Sequence, residues 1–451
     1  MAQQRLTDRS LAPYVDKDSL IHIVNTGDTT QYSGGSSYKV TLESLQPIFS
    51  GSSPSSYGIF GISDSTGLYT YYSTLQDAID NASDGDTIQM FANYLELAVT
   101  VFLKDGVDIN MNGYTYTLKG ASGENCLSDN NKPVNCKIYD GTIVRVSTTY
   151  VNDTQDLCLY ILDKNSNIKT SGVYFVANET TGINNNGSLT GPYVEAYARG
   201  IVNSGKLYSV NVIAQLETAI YCNSTGSEVY DSIGRSNGLG YGIGMLMPSF
   251  AGVVVNSIGY SLGQAGLYLV NTKEAQSCIG YSSGNNGISS SASILNDCRG
   301  YSSSSSAVNL QSIILATNIL GYSFSSYGVF VGVPTNGVNS KIENLTASSA
   351  ASYGCGLNAS GTATLTVKNL QSTSLLSGGS GYACQVGGNN NIKIMGGSLD
   401  VWNSAECIYA PSPITVSYVD LSFKTSASPP VNPNVTQGAS GPMDAYGNVI
   451  I

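Results

Sequence analysis

Across residues 231–332 apolar residues recur two apart in short runs, and each run is closed by glycine or a polar residue. A period of two belongs to β-strands rather than helices, and glycine at the ends of such runs marks corners. The runs are also copies of one another. A polar residue, a small or apolar residue, glycine and then Tyr-Ser returns as Asn256-Ser257-Ile258-Gly259-Tyr260-Ser261, Ser277-Cys278-Ile279-Gly280-Tyr281-Ser282, Asp297-Cys298-Arg299-Gly300-Tyr301-Ser302 and Asn318-Ile319-Leu320-Gly321-Tyr322-Ser323. Gly234 to Gly259 is 25 residues, and the next three steps are 21, 20 and 21. A second phrase follows a few residues after each, as in Ala265-Gly266-Leu267, Asn286-Gly287-Ile288 and Tyr327-Gly328-Val329.

Two turn-and-strand signals per period make one coil of a solenoid. The unit carries no Trp-Asp or Gly-His signature and no Leu/Asn pattern of a leucine-rich repeat, so it predicts an all-β parallel β-helix. Equivalent positions then stack at about 4.8 Å and like residues form ladders. The expected ladders are Asp231, Asn256, Ser277, Asp297 and Asn318 at one turn, with Tyr260, Tyr281, Tyr301 and Tyr322 close by. Cys278 and Cys298 fall in equivalent slots and are expected as small inward-facing core groups.

The flanks are less regular. Residues 1–50 hold two strand signals, one around Leu20, Ile21, His22, Ile23 and Val24 and one around Tyr38, Val40 and Leu42, and this is too little to build a core alone. A Gly/Ser/Pro linker covers 51–66, the solenoid is expected over 67–425 in roughly 12 to 16 coils, and a Pro-rich tail covers 426–451. At the solenoid entry, residues 72–82 read as a capping helix with Ser73 as N-cap and Gln76 in the capping-box position. Gly106 to Leu118 gives a strand, an Asn112-Gly113 turn and another strand. The coils over 119–235 carry inserts at 122–133 and 179–192, with strands expected near 156–162, 172–177, 199–203 and 218–222. The solenoid is expected to close near Phe423. The terminal Val449, Ile450 and Ile451 suggest burial against a neighbouring chain or the last coil.

Two resemblances attach to these residues. Asp18-Ser19-Leu20-Ile21-His22-Ile23-Val24, a short loop and Ser37-Tyr38-Lys39-Val40-Thr41-Leu42 resemble the N-terminal particle-anchoring segment of tailed-phage fibres and spikes. The helix, Gly-Asp turn, strand and Asp108-Ile109-Asn110-Met111-Asn112-Gly113-Tyr114 resemble the start of right-handed, pectate-lyase-like β-helices, a group that includes many phage tailspikes. The resemblance implies a homotrimer on the surface of a virion, attached through residues 1–50 to portal, tail or capsid proteins, made in the host cytoplasm and used in adhesion to host surface polysaccharide.

Composition narrows this further. Lys plus Arg is 20 against 31 Asp plus Glu, net charge −11, which speaks against nucleic acid as a partner. No apolar run has the length of a membrane span, and the N-terminus lacks the apolar stretch of a secretory signal. The nine cysteines are scattered without a C-x-x-C pair and are read as reduced thiols. No metal and no cofactor are expected, since zinc, P-loop and dinucleotide patterns are missing.

The candidate chemistry is therefore narrow. The single histidine, His22, lies outside the solenoid, which leaves Ser-His and Cys-His schemes without a base there. The enzyme alternative is a tailspike depolymerase, a hydrolase or lyase using two carboxylates among Asp153, Asp156, Glu179, Glu195, Glu217, Glu228 and Asp231, with Glu195, Glu217 and Asp231 as candidates; the expectation is instead that these carboxylates are dispersed or bound in turn hydrogen bonds. A pair formed by Glu274 and Asp297 competes with the reading of Asp297 as a turn-ladder residue. Tyr260, Tyr281, Tyr301 and Tyr322 with Ser and Asn neighbours suit glycan binding by stacking and neutral hydrogen bonds, with little salt dependence. The same strip equally suits packing against a second chain. A capsid decoration fibre is a further alternative.

Overall fold

The computed structural model describes residues 58–437, apart from 98, 121–122, 148–155, 334–338, 352, 361, 377–380, 389–390, 403–405, 426 and 428, together with the backbone strands Leu20–Asn25 and Ser36–Thr41; the side chains of 246–251 are also outside the description. The expectations for Leu42, Asp153, Val449, Ile450 and Ile451 lie outside the described residues. Leu20–Asn25 and Ser36–Thr41 pair antiparallel, Leu20 opposite Thr41 and Asn25 opposite Ser36.

The rest is a parallel β-solenoid of about 13 turns. Three parallel sheets run along it. The first starts at Tyr94–Leu97 and Thr115–Lys119 and ends at Ile392–Val401 and Ile414–Lys424. The second runs from Val101–Phe102 and Leu127–Ser128 to Cys384–Gly388 and Ile408–Tyr409. The third starts at Thr87–Met90 and Asp108–Asn110 and reaches Val435–Gln437, which pairs with Ile414–Val416. The ladder thus continues past Phe423 into the Pro-rich stretch. At the other end Phe60–Ser63, within the stretch read as linker, pairs antiparallel with Tyr69–Tyr72 and with Thr87–Met90.

Inward positions repeat the same chemistry coil after coil. Ile168, Leu189, Leu207, Val229, Val254, Ala275, Leu295, Ala316, Ile342, Val367 and Ile394 form one buried row in strict register. Fully burying an aliphatic side chain of this size contributes about 1.5–3 kcal/mol, so each added coil is stabilised by its neighbours alone.

The polar turn ladder has a backbone cause. Asp231, Asn256, Ser277, Asp297 and Asn318 all adopt positive φ, and the same corner continues through Asp140, Gly172, Gly191 and Ser209 on one side and Asn344, Asn369, Gly396 and Asp420 on the other. Left-handed backbone favours glycine, Asn and Asp. Asn256 donates to Asp231 at 3.1 Å, Asn318 to Asp297 at 2.6 Å, Asn344 to Asn318 at 2.8 Å and Asn369 to Asn344 at 2.9 Å. Asn112 and Gly113 also have positive φ but turn a coil corner, the flanking strands joining different sheets instead of forming a hairpin.

The helix spans Leu75–Asn81, with Leu75, Ala78 and Ile79 buried. Its N-cap is Thr74 rather than Ser73: the Thr74 hydroxyl accepts from the Asp77 amide at 3.1 Å. Gln76 closes no capping box. Its Oε1 accepts from the Phe102 amide at 2.7 Å, tying the helix to the second sheet.

Candidate functional site

The Gly-Tyr-Ser phrase lies on Ile258–Ser261, Ile279–Ser282, Arg299–Ser302 and Leu315–Ser323, four strands in unbroken register. Glycine points inward at a narrow waist: a Cβ on Gly259, Gly280, Gly300 or Gly321 would lie 2.0–2.2 Å from the carbonyl oxygen of Gly266, Gly287, Ala307 or Gly328. Tyrosine, one residue on, faces out, and serine faces in again. The buried hydroxyls of Ser261, Ser302 and Ser323 donate to the carbonyls of Gly240, Asn285 and Ser305 at 2.6–2.7 Å. The hydroxyls of those serines are therefore committed to the coil's internal bonding, although Ser261 and Ser302 still line the groove beside the exposed Ser283 and Ser303.

The tyrosine ladder forms. Tyr260 and Tyr281 stack at 4.9 Å and 5°, and Tyr281 and Tyr301 at 4.9 Å and 11°. Tyr322 is in register with Tyr301 and meets Phe324 edge-on at 5.2 Å. Since the Tyr281 ring is covered on both faces by Tyr260 and Tyr301, it presents its edge and hydroxyl to a ligand, and face-on stacking, which the sequence suggested, is closed to it. Burial between Tyr301 and Tyr260 raises the pKa of the Tyr281 hydroxyl, with Arg299 opposing the rise. The four tyrosines line an open groove of about 450 Å³, with Leu262 and Phe324 on its rim, Ser283 and Ser303 between them, and Arg235 at one end. Leu262, at 53% exposure, and Phe324, at 58%, were missed from sequence. Their signal was the residue directly after the phrase, apolar in the outer two coils and serine in the inner two.

The carboxylates do not converge on this groove, whose lining contains none. Glu195 accepts from Gln215 at 3.1 Å, Glu217 pairs with Arg199 at 2.7 Å, and Arg199 lies 4.5 Å from the centre of the Tyr221 ring. Glu228 pairs with Lys206 at 3.0 Å and accepts from Tyr230, while Asp231 belongs to the turn ladder. Asp156 is fully buried, held by the equally buried Arg145, which also donates to the carbonyls of Glu124 and Val146. Its place as an open-groove carboxylate is thereby corrected: this pair is internal framework.

The described cysteines are free and buried. Cys278 and Cys298 share a hydrogen bond across adjacent coils, which together with burial pushes the Cys298 thiol well up. Among the described residues no cluster of three His, Cys, Asp or Glu side chains is placed to hold a metal ion. No described helix is long and apolar enough to cross a membrane.

A second aromatic ladder was not anticipated. Tyr327 and Tyr353 stack at 5.0 Å, Tyr353 and Tyr382 at 5.6 Å, and Tyr382 and Tyr409 at 4.3 Å, with the Tyr327 hydroxyl bonded to Gln385. Burial raises the Tyr327 pKa to about 12.

Fold and groove together define a β-solenoid protein with a charge-poor aromatic strip. No protein-family model matches the chain, and no curated protein matches it in sequence.

Proposed function

We propose that this chain is an attachment protein of a tailed-phage particle, a homotrimeric fibre or spike whose groove along Tyr260, Tyr281, Tyr301 and Tyr322 takes a strand of host surface polysaccharide. The observation that carries the reading is the groove itself: about 450 Å³, open, aligned with the coil axis, edged by tyrosine rings and free of carboxylates. A pocket that is largely apolar with a few polar tips suits a sugar chain. Hydrolysis or elimination at a glycosidic bond would instead ask for two carboxyl groups about 5–9.5 Å apart beside the sugar, and the groove offers none. In this proposal residues 1–50 fasten the chain to the particle, at tail or head, and the helix Leu75–Asn81 caps the first coil against edge pairing.

The test is binding of purified full-length protein to polysaccharide extracted from host cells. Retention on the polysaccharide, reduced about tenfold or more by Tyr281→Ala with the melting temperature nearly unchanged, is the expected result. Release of new reducing ends or unsaturated uronates would replace adhesion by depolymerisation, and unaltered binding by Tyr281→Ala would move the site elsewhere.

A further inference from the structure

We propose that the groove is selective for an acidic polysaccharide, with Arg235 and Arg299 meeting its anionic groups; this rests on the glycan-binding reading above. Of the arginines among the described residues, Arg145 is paired with Asp156 and Arg199 with Glu217. The other two, Arg235 and Arg299, are exposed and have no carboxylate within ion-pair distance among the described residues; Arg235 lines the groove, and Arg299 lies outside its lining but near enough to act on the Tyr281 hydroxyl.

Their placement follows from register. Arg235 is opposite Tyr260, so it continues the tyrosine row by one coil and closes one end of the groove. Its Nε donates to Asn237 at 3.1 Å, a neutral partner that orients the guanidinium without cancelling its charge. Arg299 takes the outward position held by Ile258 and Ile279 in the two preceding coils, two residues before Tyr301. From Arg235 to Arg299 is three coil steps, about 14 Å along the axis at the usual strand spacing.

In a chain of net charge −11, two unneutralised cations beside one groove select for negative charge. Guanidinium binds carboxylate through paired, charge-assisted hydrogen bonds that a neutral sugar cannot supply. Covering the strip with a second copy of the same face would instead bury both cations without counter-charge, which is costly. Binding should accordingly fall with salt, opposite to the expectation from tyrosine and asparagine alone.

The experiment is an array of acidic bacterial surface polysaccharides, each beside its carboxyl-reduced derivative, probed with full-length protein, Arg235→Gln, Arg299→Gln and Tyr281→Ala. The expected result is binding to acidic members that drops about tenfold or more on carboxyl reduction, weakens between about 0.05 and about 0.5 M salt, and falls about five- to tenfold in each arginine variant at unchanged melting temperature. Equal binding to the reduced partners, or no effect of either arginine variant while Tyr281→Ala still weakens binding, overturns acidic selectivity and leaves the groove standing. Binding to no member, or binding that Tyr281→Ala does not alter, overturns both.

Discussion

The coils over 94–214 and those over 233–323 use one backbone path and hold it in two different ways. In the later block the same small set of solutions repeats: glycine at the waist, serine bonding to a carbonyl, Asn, Asp or Ser at the left-handed corner. The earlier block keeps the left-handed corner at Asp140, Gly172, Gly191 and Ser209 but adds buried polar devices that do not repeat. Arg145 and Asp156 pair in the core, the buried Asp129 accepts from the Leu162 and Asp163 amides and the Ser166 hydroxyl, and Asn185 donates to Asn203 at 2.8 Å. Repetition spreads stability over equivalent small contacts and leaves a uniform outer face on which a groove can form. Singular devices concentrate stability at a few sites.

That contrast is most sharply tested at Arg145. Arg145→Met leaves the buried Asp156 carboxylate without its cation and should destabilise by about 3–5 kcal/mol in chemical denaturation. Arg145→Met with Asp156→Leu should recover much of the loss; a single variant as stable as the parent would show that the early coils do not depend on the pair. Next in size is Gly280→Ala in the repeated block, whose Cβ would lie 2.0 Å from the Gly287 carbonyl oxygen. The expected cost is about 3 kcal/mol, by overpacking against backbone that cannot yield. Gly387→Ala, which meets nothing within 4 Å, should be close to neutral in the same melts.

Asn318→Ala removes bonds to Asp297 and Asn344 and places alanine at φ 54°, for an expected loss of about 1–2 kcal/mol. Asn318→Gly, free of the backbone penalty, should lose less; equal losses would assign the corner to side-chain bonding alone. The smallest effect is at Glu343, where the hydrogen bond from Lys341, helped by the charge of Lys368, holds the carboxyl below its ordinary value of 4.5. A carboxyl lowered by folding adds stability that is complete above its unfolded value and is lost as pH falls through the folded one. Being largely solvated, it should contribute well under about 1 kcal/mol. Thermal melts of Glu343→Gln should converge with the parent below about pH 3 and separate slightly by about pH 6.

Much of this architecture was readable from the chain because the ladders are local phrases at a nearly fixed spacing. Tyr260, Tyr281 and Tyr301 stack as the 21- and 20-residue steps require. The corner residues also declared themselves, since few residue types tolerate positive φ. The helix is legible with its cap displaced by one, because Ser73 is by type at least as good a cap as Thr74 and only the bond from the Asp77 amide selects Thr74. The groove was half legible: its tyrosines and serines follow from the repeated phrase, while Leu262 and Phe324 beside them do not, and the Ser261 hydroxyl is spent on the Gly240 carbonyl.

By itself, then, the sequence determined the coil, because a period-2 alternation closed by glycine every 20 to 25 residues can bury its apolar face only by stacking on copies of itself. Which side each phrase turns outward, that the tyrosine faces cover one another, and that Arg235 falls in line with Tyr260 were decided by tertiary structure. The physical reason is register: pairing between parallel strands more than twenty residues apart is fixed by the corners and inserts of every intervening coil, and a shift of one residue would exchange core for surface.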